Sequence, residues 1–469
     1  MKNTFLLLIL IISFNTNAQF IEEKPPTEKE LQLNNANETA ELIKLASLAR
    51  IDKNHKNLLA AMEKLVALNP HVPILQYQLA EAYSLNVHRT SAYNTLIKLQ
   101  KQGLYFDVDI NPNFANIQDF PVFKYIKENF DANGEHYGKG IESFNIDKSF
   151  SGLLFESLAF DYNSQSFLMG SLRDGRIISI ANDGEITELV AAAKGGLNGP
   201  WASIDLAIDE KNDTLWVASS AISQFGKITK ESSGSSGVFK YKLSTGELQK
   251  SYLFPKIKNP SFISSMHLTD QGDLYFVGNI NSVVLKIAQG ADQMSVVFTS
   301  DKFTNMRNIT TDETGKIIYV SDAKEGIVVV ESTSGKYFVI ENSDNLNLTG
   351  ITDLIYDDNG LIFIQSGIKP ERVMRLKLKK NKAQLDKIIP IESSHPLFNT
   401  VSYGAVIGND LFYIANSQLS KTNVYGGLIK GYEWDNMHII KSETHFNEQS
   451  SLDYQKQIDA YEKNKKSEK

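Results

Sequence analysis

The chain lacks cysteine, long apolar runs and an excess of positive charge. Without a single Cys in 469 residues it can form no disulfide, thiol nucleophile or Cys-based metal site, so burial must hold the fold together. Lys and Arg number 48 against 55 Asp and Glu, a net charge of -7. Because binding to a phosphate backbone needs a concentrated positive surface, we expect no nucleic-acid partner.

The N-terminus has the plan of a secretory signal. Lys2 precedes an apolar run from Phe5 to Phe14, and small or polar residues follow as far as Ala18. The run is about ten residues long, too short for a hydrocarbon core that needs roughly 20. The sequence therefore predicts a signal peptide over 1–18, export to the periplasm or the medium, and no membrane span in the mature chain that starts at Gln19.

A polar stretch over 19–38 is predicted as a linker, and apolar residues then recur at three- and four-residue steps, which indicates helices. The apolar pair at 45–46 returns at 79–80, an offset of 34 residues (79 − 45). This is the period of tetratricopeptide repeats, and the segment resembles them. We predict a small helical domain over 39–135 that either docks a protein partner or braces the rest of the chain.

From Tyr137 the pattern alternates with period 2 between Gly-containing turns, which indicates β-structure. A unit of strand, acidic turn and strand recurs at intervals of 43 (308 − 265) to 60 (265 − 205) residues, close to one four-stranded propeller blade. The copies start at Ser157, Asp205, Ser265, Asn308, Asp353 and Gly404. They predict a mainly β fold, a six-bladed β-propeller over 137–445. Gly140 to Ile146 should close the ring on the last blade, and 446–469 should form a charged mobile tail.

Three motifs of this region are FESLAFDYNSQSFLMGSLRDGRI, TGKIIYVSDAKEGI and DLFYIANSQ. They resemble the exported six-bladed propellers of the gluconolactonase, senescence-marker-protein and luciferin-regenerating-enzyme group, which includes lactonases, esterases and binding propellers. The resemblance implies that a lactonase would hold a divalent cation such as Ca²⁺ with a Glu and later Asn and Asp residues, about five positions before each turn acid. Glu156 matches the first ligand, whereas Ser264, Arg307 and Thr352 depart from the pattern.

One position further along, the copies carry small polar residues. Asp205, Asn308 and Asp353 could bind a cation together with Glu156, or bind a polyol; alternatively they satisfy amides at strand ends. Trp201 either covers the channel mouth as an aromatic platform or packs between blades. Ligand binding is predicted for six residues near the mouth: Trp201, Asp205, Ser265, Arg307, Asn308 and Asp353.

His267, two residues beyond Ser265, is the candidate general base of a hydrolase, and the alternative is a His packed between blades. The chain contains no GxSxG, HExxH or GxxxxGK motif. Ordinary serine hydrolases, zinc proteases and nucleotide-binding proteins are therefore excluded by their missing sites.

These observations favour an exported binding propeller with no required cofactor, whose channel mouth recognises a small polar ligand or a partner. The alternative is a cation-dependent lactonase or related ester hydrolase, in which Glu156 binds the metal with Asp205, Asn308 or Asp353 and His267 or water acts as base. A third hypothesis, a structural interaction module, predicts a channel plugged by side chains.

Overall fold

The computed structural model describes residues 28–254, 262–278, 282–303, 305–340 and 345–445. The predicted signal peptide and the predicted charged tail lie outside these residues. Within them, none of the helices has the length and the apolar character that crossing a membrane requires.

The N-terminal domain consists of helices packed side by side. In the described residues they are α1 (Glu28–Asn35), α2 (Thr39–Ile51), α3 (His55–Leu68), α4 (Pro73–Leu85), α5 (Arg89–Lys101) and α6 (Pro121–Gly134). Helices α2 and α4 start 34 residues apart (73 − 39), as do α3 and α5 (89 − 55), so two helical hairpins repeat with the predicted period. Membership of the tetratricopeptide family stays a prediction.

Helix α1 lies inside the stretch predicted as a linker. Leu33 of α1 is 4% exposed and packs with Leu42 and Leu58 in one hydrophobic cluster. A single short helix with so few apolar positions has no visible periodicity, which explains why the sequence pattern does not reveal it.

The rest of the described chain forms six antiparallel four-stranded sheets, which are the blades of a β-propeller. The strands are β1 (Ile141–Ile146), β2 (Ala159–Asp161), β3 (Ser166–Gly170), β4 (Ile177–Ala181), β5 (Ile186–Val190), β6 (Ala202–Asp209), β7 (Thr214–Ser220), β8 (Ser236–Lys242), β9 (Glu247–Leu253), β10 (Ile263–Leu268), β11 (Leu274–Gly278), β12 (Val283–Ile287), β13 (Ser295–Thr299), β14 (Met306–Thr311), β15 (Ile317–Asp322), β16 (Gly326–Glu331), β17 (Tyr337–Ile340), β18 (Ile351–Asp357), β19 (Gly360–Gln365), β20 (Arg372–Leu378), β21 (Leu385–Ser393), β22 (Gly404–Ile407), β23 (Asp410–Ile414) and β24 (Met437–Glu443). The fold is thus the predicted six-bladed propeller behind a small helical domain.

The ring closes as predicted. Strand β1 pairs with β24 as the outermost strand of the sixth blade, with Ile141 opposite Lys441 and Ile146 opposite Met437. The first and last segments of the propeller therefore share one sheet, and closure removes exposed strand edges that could pair with other chains.

The first strand of four blades contains a bulge near its start, where the chain enters the channel. The register shifts between Ser203 and Asp205 in β6, and similar shifts occur in β10, β14 and β18. Because an extra residue in one strand breaks the alternation of sides, a bulge re-aims the neighbouring side chains. In β6, Ile204 lines the channel mouth while Asp205 bonds to the next blade.

The helical domain rests on the same face of the propeller as the channel mouth. Its contacts are with the loop that precedes β18 and the loop that joins β19 to β20, which both emerge on that face. Nη1 of Arg372 donates to the carbonyl of Gln102 at 2.9 Å, and the amide of Tyr105 donates to the carbonyl of Lys369 at 2.8 Å.

Candidate functional site

A cleft of about 580 Å³ opens at the channel mouth. Four of the six inner-strand positions that lie five residues before the turn contribute to its lining: Glu156, Ile204, Arg307 and Tyr403. The walls above them are lined by the apolar side chains of Leu172, Ile222, Ile228, Phe262 and Leu419 and by the polar residues Ser220, Ser223, Gln224, Ser233 and Ser235, and most of the exposed wall surface is apolar. This combination of a few polar groups and an apolar wall is typical of small-molecule sites.

Loops of three blades are tied together at one side of this cleft. Nη1 of Arg173 donates to the carbonyls of Gln224 at 3.3 Å and Tyr425 at 2.6 Å. The hydroxyl of Ser223 donates to the carbonyl of Val424 at 2.6 Å. These bonds join loops of blades one, two and six, so the wall of the cleft is held in place by contacts outside the channel.

Glu156 places a buried carboxyl group in the cleft. Its Oε2 accepts a hydrogen bond from the hydroxyl of Ser402 at 3.1 Å, whereas its buried Oε1 has no partner among the described residues. Burial raises the pKa of Glu156 to about 7, and the hydroxyls of Ser417 and Ser402 only partly oppose that rise. Buried polar atoms are nearly always bonded, so Oε1 lacks the hydrogen-bond partner that such an atom usually has.

Tyr403 crosses the channel beneath the cleft. Its hydroxyl donates to the carbonyl of Ser264 at 2.8 Å, which joins the sixth blade to the third, on the opposite side of the ring. Burial and the neighbouring carboxylates raise the pKa of Tyr403 well above its ordinary value, so the phenol stays protonated. The phenol therefore spans the channel at this level, and the cleft lies above it.

Arg307 brings the positive charge of the site. Its side chain is exposed and lines the cleft, and it forms no hydrogen bond or ion pair with any described residue. Glu156 and Arg307 are the charged residues among those described along the cleft. Because the pKa of Glu156 is raised to about 7, much of its negative charge is absent at neutral pH and the cleft favours an anion.

Three of the predicted ligand residues instead connect adjacent blades. Oδ2 of Asp205 accepts from the amide of Met266 at 2.7 Å, and Oδ2 of Asp353 accepts from the amide of Gly404 at 2.9 Å. Nδ2 of Asn308 donates to a carbonyl of the fifth blade at 2.8 Å. The geometry therefore agrees with the alternative in which these three side chains satisfy backbone groups at the starts of strands.

Ser265 and Trp201 also support the scaffold. The hydroxyl of Ser265 lowers the pKa of Asp205, although burial raises that pKa overall to about 7. Trp201 is 1% exposed, donates from Nε1 to the carbonyl of Gly196 at 2.8 Å, and packs edge-on against Phe239. Its indole belongs to the core and offers no platform at the channel mouth, because no face of the ring is open.

His267 lies below the cleft, with Nδ1 3.4 Å from Oγ1 of Thr310. Burial lowers its pKa to about 4, although the charge of Asp270 opposes the shift. A base with so low a pKa is far from the value near the operating pH that general-base catalysis favours. The structure thus fits the alternative in which this His packs between blades.

The residues at the mouth do not fit the calcium site that the family resemblance implies. Calcium takes six to eight oxygen ligands, and Glu156 supplies one unpartnered oxygen. The carboxylates of Asp205 and Asp353 are already bonded to amides, and the guanidinium of Arg307 lines the same cleft. A dication would be repelled by that guanidinium.

Neither a family model nor a curated protein matches the chain. Solved structures that match include the PQQ-bound aldose sugar dehydrogenase of Streptomyces coelicolor, at 11% identity and a TM-score of 0.45, over 66% of this chain and 99% of that one. A luciferin-regenerating enzyme matches at 10% identity and a TM-score of 0.45, over 66% and 95% of the two chains. Regucalcin of Agrobacterium tumefaciens, a calcium-binding protein, matches at 14% and 0.44, over 66% and 96%. At identities this low, the ligands and reactions of those proteins do not transfer to this chain.

Proposed function

We propose that this protein is an exported binding propeller whose cleft takes a small organic acid with an apolar body and a hydroxyl group. The observation that carries the proposal is the exposed, unpaired Arg307 in the same cleft as Glu156, whose Oε1 has no partner among the described residues. A guanidinium binds a carboxylate through two parallel hydrogen bonds, and the carboxyl group of Glu156 forms a hydrogen bond with a ligand hydroxyl, as donor when it is protonated and as acceptor when it is ionised. The apolar wall covers the rest of the ligand.

Calorimetric titration of the purified protein with 3-phenyllactate tests the proposal. The acid should bind the unaltered protein and bind Arg307→Met at least about tenfold more weakly, because hydrogen bonds to charged groups contribute roughly 1.5–3 kcal/mol. Arg176→Met is the matched control, since that guanidinium pairs with Asp174 and Glu188 outside the cleft. Equal affinity for the neutral 3-phenylpropane-1,2-diol, or unchanged binding to Arg307→Met, would show the proposal to be wrong.

A second measurement distinguishes this proposal from the cation-dependent lactonase that the resemblance implies. Sugar lactones and aryl esters are offered to the protein with and without EDTA, and to a Glu156→Gln variant. We expect no hydrolysis above the uncatalysed rate. Hydrolysis that disappears with EDTA and in Glu156→Gln would replace the binding proposal by the hydrolase.

The helical domain is proposed to dock a protein partner next to the cleft, since it sits on the same face of the propeller. Export and the partner both rest on the sequence. Secretion of a tagged chain, compared with one that lacks residues 1–18, tests export directly: the full chain should leave the cytoplasm and the shortened chain should remain there.

A further inference from the structure

Two His residues and one Glu meet where the helical domain joins the propeller, away from the cleft. His136 follows α6, Glu392 lies in β21, and His395 begins the segment that leads to the sixth blade. One ligand atom of each side chain lies within 4.8 Å of the others, and Nε2 of His136 is 2.7 Å from Oε1 of Glu392. We propose that these three residues bind a divalent transition metal, for which Zn²⁺ is the probe.

The backbone around the cluster fixes two of the three ligands. Tyr137 and Ser393 form an antiparallel bridge, in which the amide of Ser393 donates to the carbonyl of Tyr137 at 2.7 Å and the return bond is 3.0 Å. Oε2 of Glu392 accepts from the amide of Gly140 at 2.7 Å and from the hydroxyl of Ser442 at 3.3 Å. The other oxygen, Oε1, is thereby directed at His136, and a carboxylate ligand held by such outer bonds is typical of metal sites.

Glycine leaves the space that this carboxylate occupies. A Cβ at Gly138, where φ is +128°, would lie 2.3 Å from the carboxyl group of Glu392, and one at Gly140 would lie 2.8 Å from its Oε2. Glu392 is fully buried while the side chain of His136 is 42% exposed. The cluster therefore has a firm inner ligand and an open outer side through which a metal enters and water completes the coordination.

The types of ligand select the metal. Imidazole nitrogens suit Zn²⁺, Cu²⁺, Ni²⁺ and Fe²⁺, whereas Ca²⁺ and Mg²⁺ prefer oxygen. Bonds of about 2.0–2.1 Å place tetrahedral ligands about 3.3 Å apart, so Nε2 of His136 and Oε1 of Glu392, which are 2.7 Å apart, need to separate by about 0.6 Å. The amide of Leu397 donates to Nδ1 of His395 at 3.2 Å, and this long contact is given up if the metal binds Nε2, because Nδ1 then carries the proton.

Titration of the tag-free, chelator-treated full chain with Zn²⁺ and Co²⁺ tests the site. One Zn²⁺ per chain should bind and raise the melting temperature, and Co²⁺ should give visible absorption bands of a nitrogen- and oxygen-bound ion. His136→Ala and His395→Ala should each weaken Zn²⁺ binding at least tenfold and abolish the rise in melting temperature. Both variants leave intact the hydrogen bonds that Oε2 of Glu392 accepts from Gly140 and Ser442.

His438→Ala is the matched control. His438 pairs with Glu142, with Nδ1 2.6 Å from Oε1, but this pair has no third ligand among the described residues. Its loss should leave Zn²⁺ binding unchanged. The proposal is overturned if the unaltered protein shows no heat of binding and no change of melting temperature, or if both His136→Ala and His395→Ala bind Zn²⁺ as the unaltered protein does.

Discussion

Glu156 makes the stability of the protein depend on pH. Its pKa in the folded chain is about 7 against an ordinary value of 4.5, so the folded state binds the proton more tightly than the unfolded state does. This contribution is fully present below about pH 4.5 and is lost as the pH rises through 7. A shift of this size corresponds to on the order of 3 kcal/mol.

The variant Glu156→Gln mimics the protonated form and isolates this effect from other groups. We expect the free energy of unfolding of Glu156→Gln to match that of the unaltered protein at pH 4 and to exceed it at pH 8, as measured in urea at both pH values. Glu185→Gln, at an exposed turn, should show no such difference. An equal free energy for Glu156→Gln and the unaltered protein at pH 8 would contradict the assignment.

The hydroxyl group of Tyr403 makes the hydrogen bond that crosses the channel to Ser264. Tyr403→Phe keeps the ring but removes the donor to the carbonyl of Ser264, which loses a 2.8 Å bond. Since an unsatisfied buried group costs about 1–3 kcal/mol, we expect urea unfolding to show a loss of that size. Tyr425→Phe, whose ring is 68% exposed, serves as the control and should be neutral.

The inner strands are joined to their neighbours by single carboxylates. Oδ1 of Asp353 accepts from the amide of Leu354 at 2.8 Å, and Oδ2 accepts from Gly404 of the sixth blade at 2.9 Å. Asp353→Asn puts an amide donor against one of these N–H groups. We expect a loss of about 2 kcal/mol in stability and faster hydrogen exchange at the amides of Leu354 and Gly404. If the amides of Leu354 and Gly404 exchange as slowly in Asp353→Asn as in the exposed control Asp386→Asn, Asp353 does not join the two blades.

The strands were largely predictable and the side-chain directions were not. The turn acids repeat in sequence, so the six blades and the pairing of β1 with β24 follow from the spacing. The bulges have no such signature, and they decide that Arg307 lines the cleft whereas Asp205 bonds to the next blade. An alternating pattern of sides cannot anticipate them.

Tyr403 and the cluster of His136, Glu392 and His395 are not identified from the sequence pattern. Tyr403 occupies in the sixth copy the position that Glu156 holds in the first, so continuing the register by one blade would have found it. His136 and Glu392 are 256 residues apart, and no spacing rule joins them. Only closure of the ring, which brings β21 beside the segment before β1, makes them neighbours.

The attachment of the two domains depends on Arg372. Its guanidinium is 4% exposed and donates to the carbonyls of Gln102 at 2.9 Å and Gly103 at 3.4 Å, and to Oε1 of Gln365 at 2.7 Å. Burial lowers its pKa to about 10, which leaves it charged at neutral pH. Arg372→Met should weaken the attachment by about 2–3 kcal/mol, because hydrogen bonds from a charged donor are lost.

Limited proteolysis measures this effect. We expect faster cleavage between α6 and β1 in Arg372→Met, and faster hydrogen exchange in α5 and α6, while the blades exchange as before. The control Arg176→Met changes an ion pair of the first blade and should leave cleavage unaltered. If the two variants are cut at the same rate, Arg372 does not hold the domains together.

The pairing of β1 with β24 has a consequence for biosynthesis. Strand β1 leaves the ribosome before any blade, and its partner begins 296 residues later (437 − 141). At roughly 5–20 residues per second, β1 waits on the order of 15–60 s for the strand that completes its sheet. A chain that stops short of β24 leaves β1 without its partner and the sixth blade open. The pairing that closes the ring thus forms only on a chain translated almost to its end, so incomplete products stay exposed to proteases.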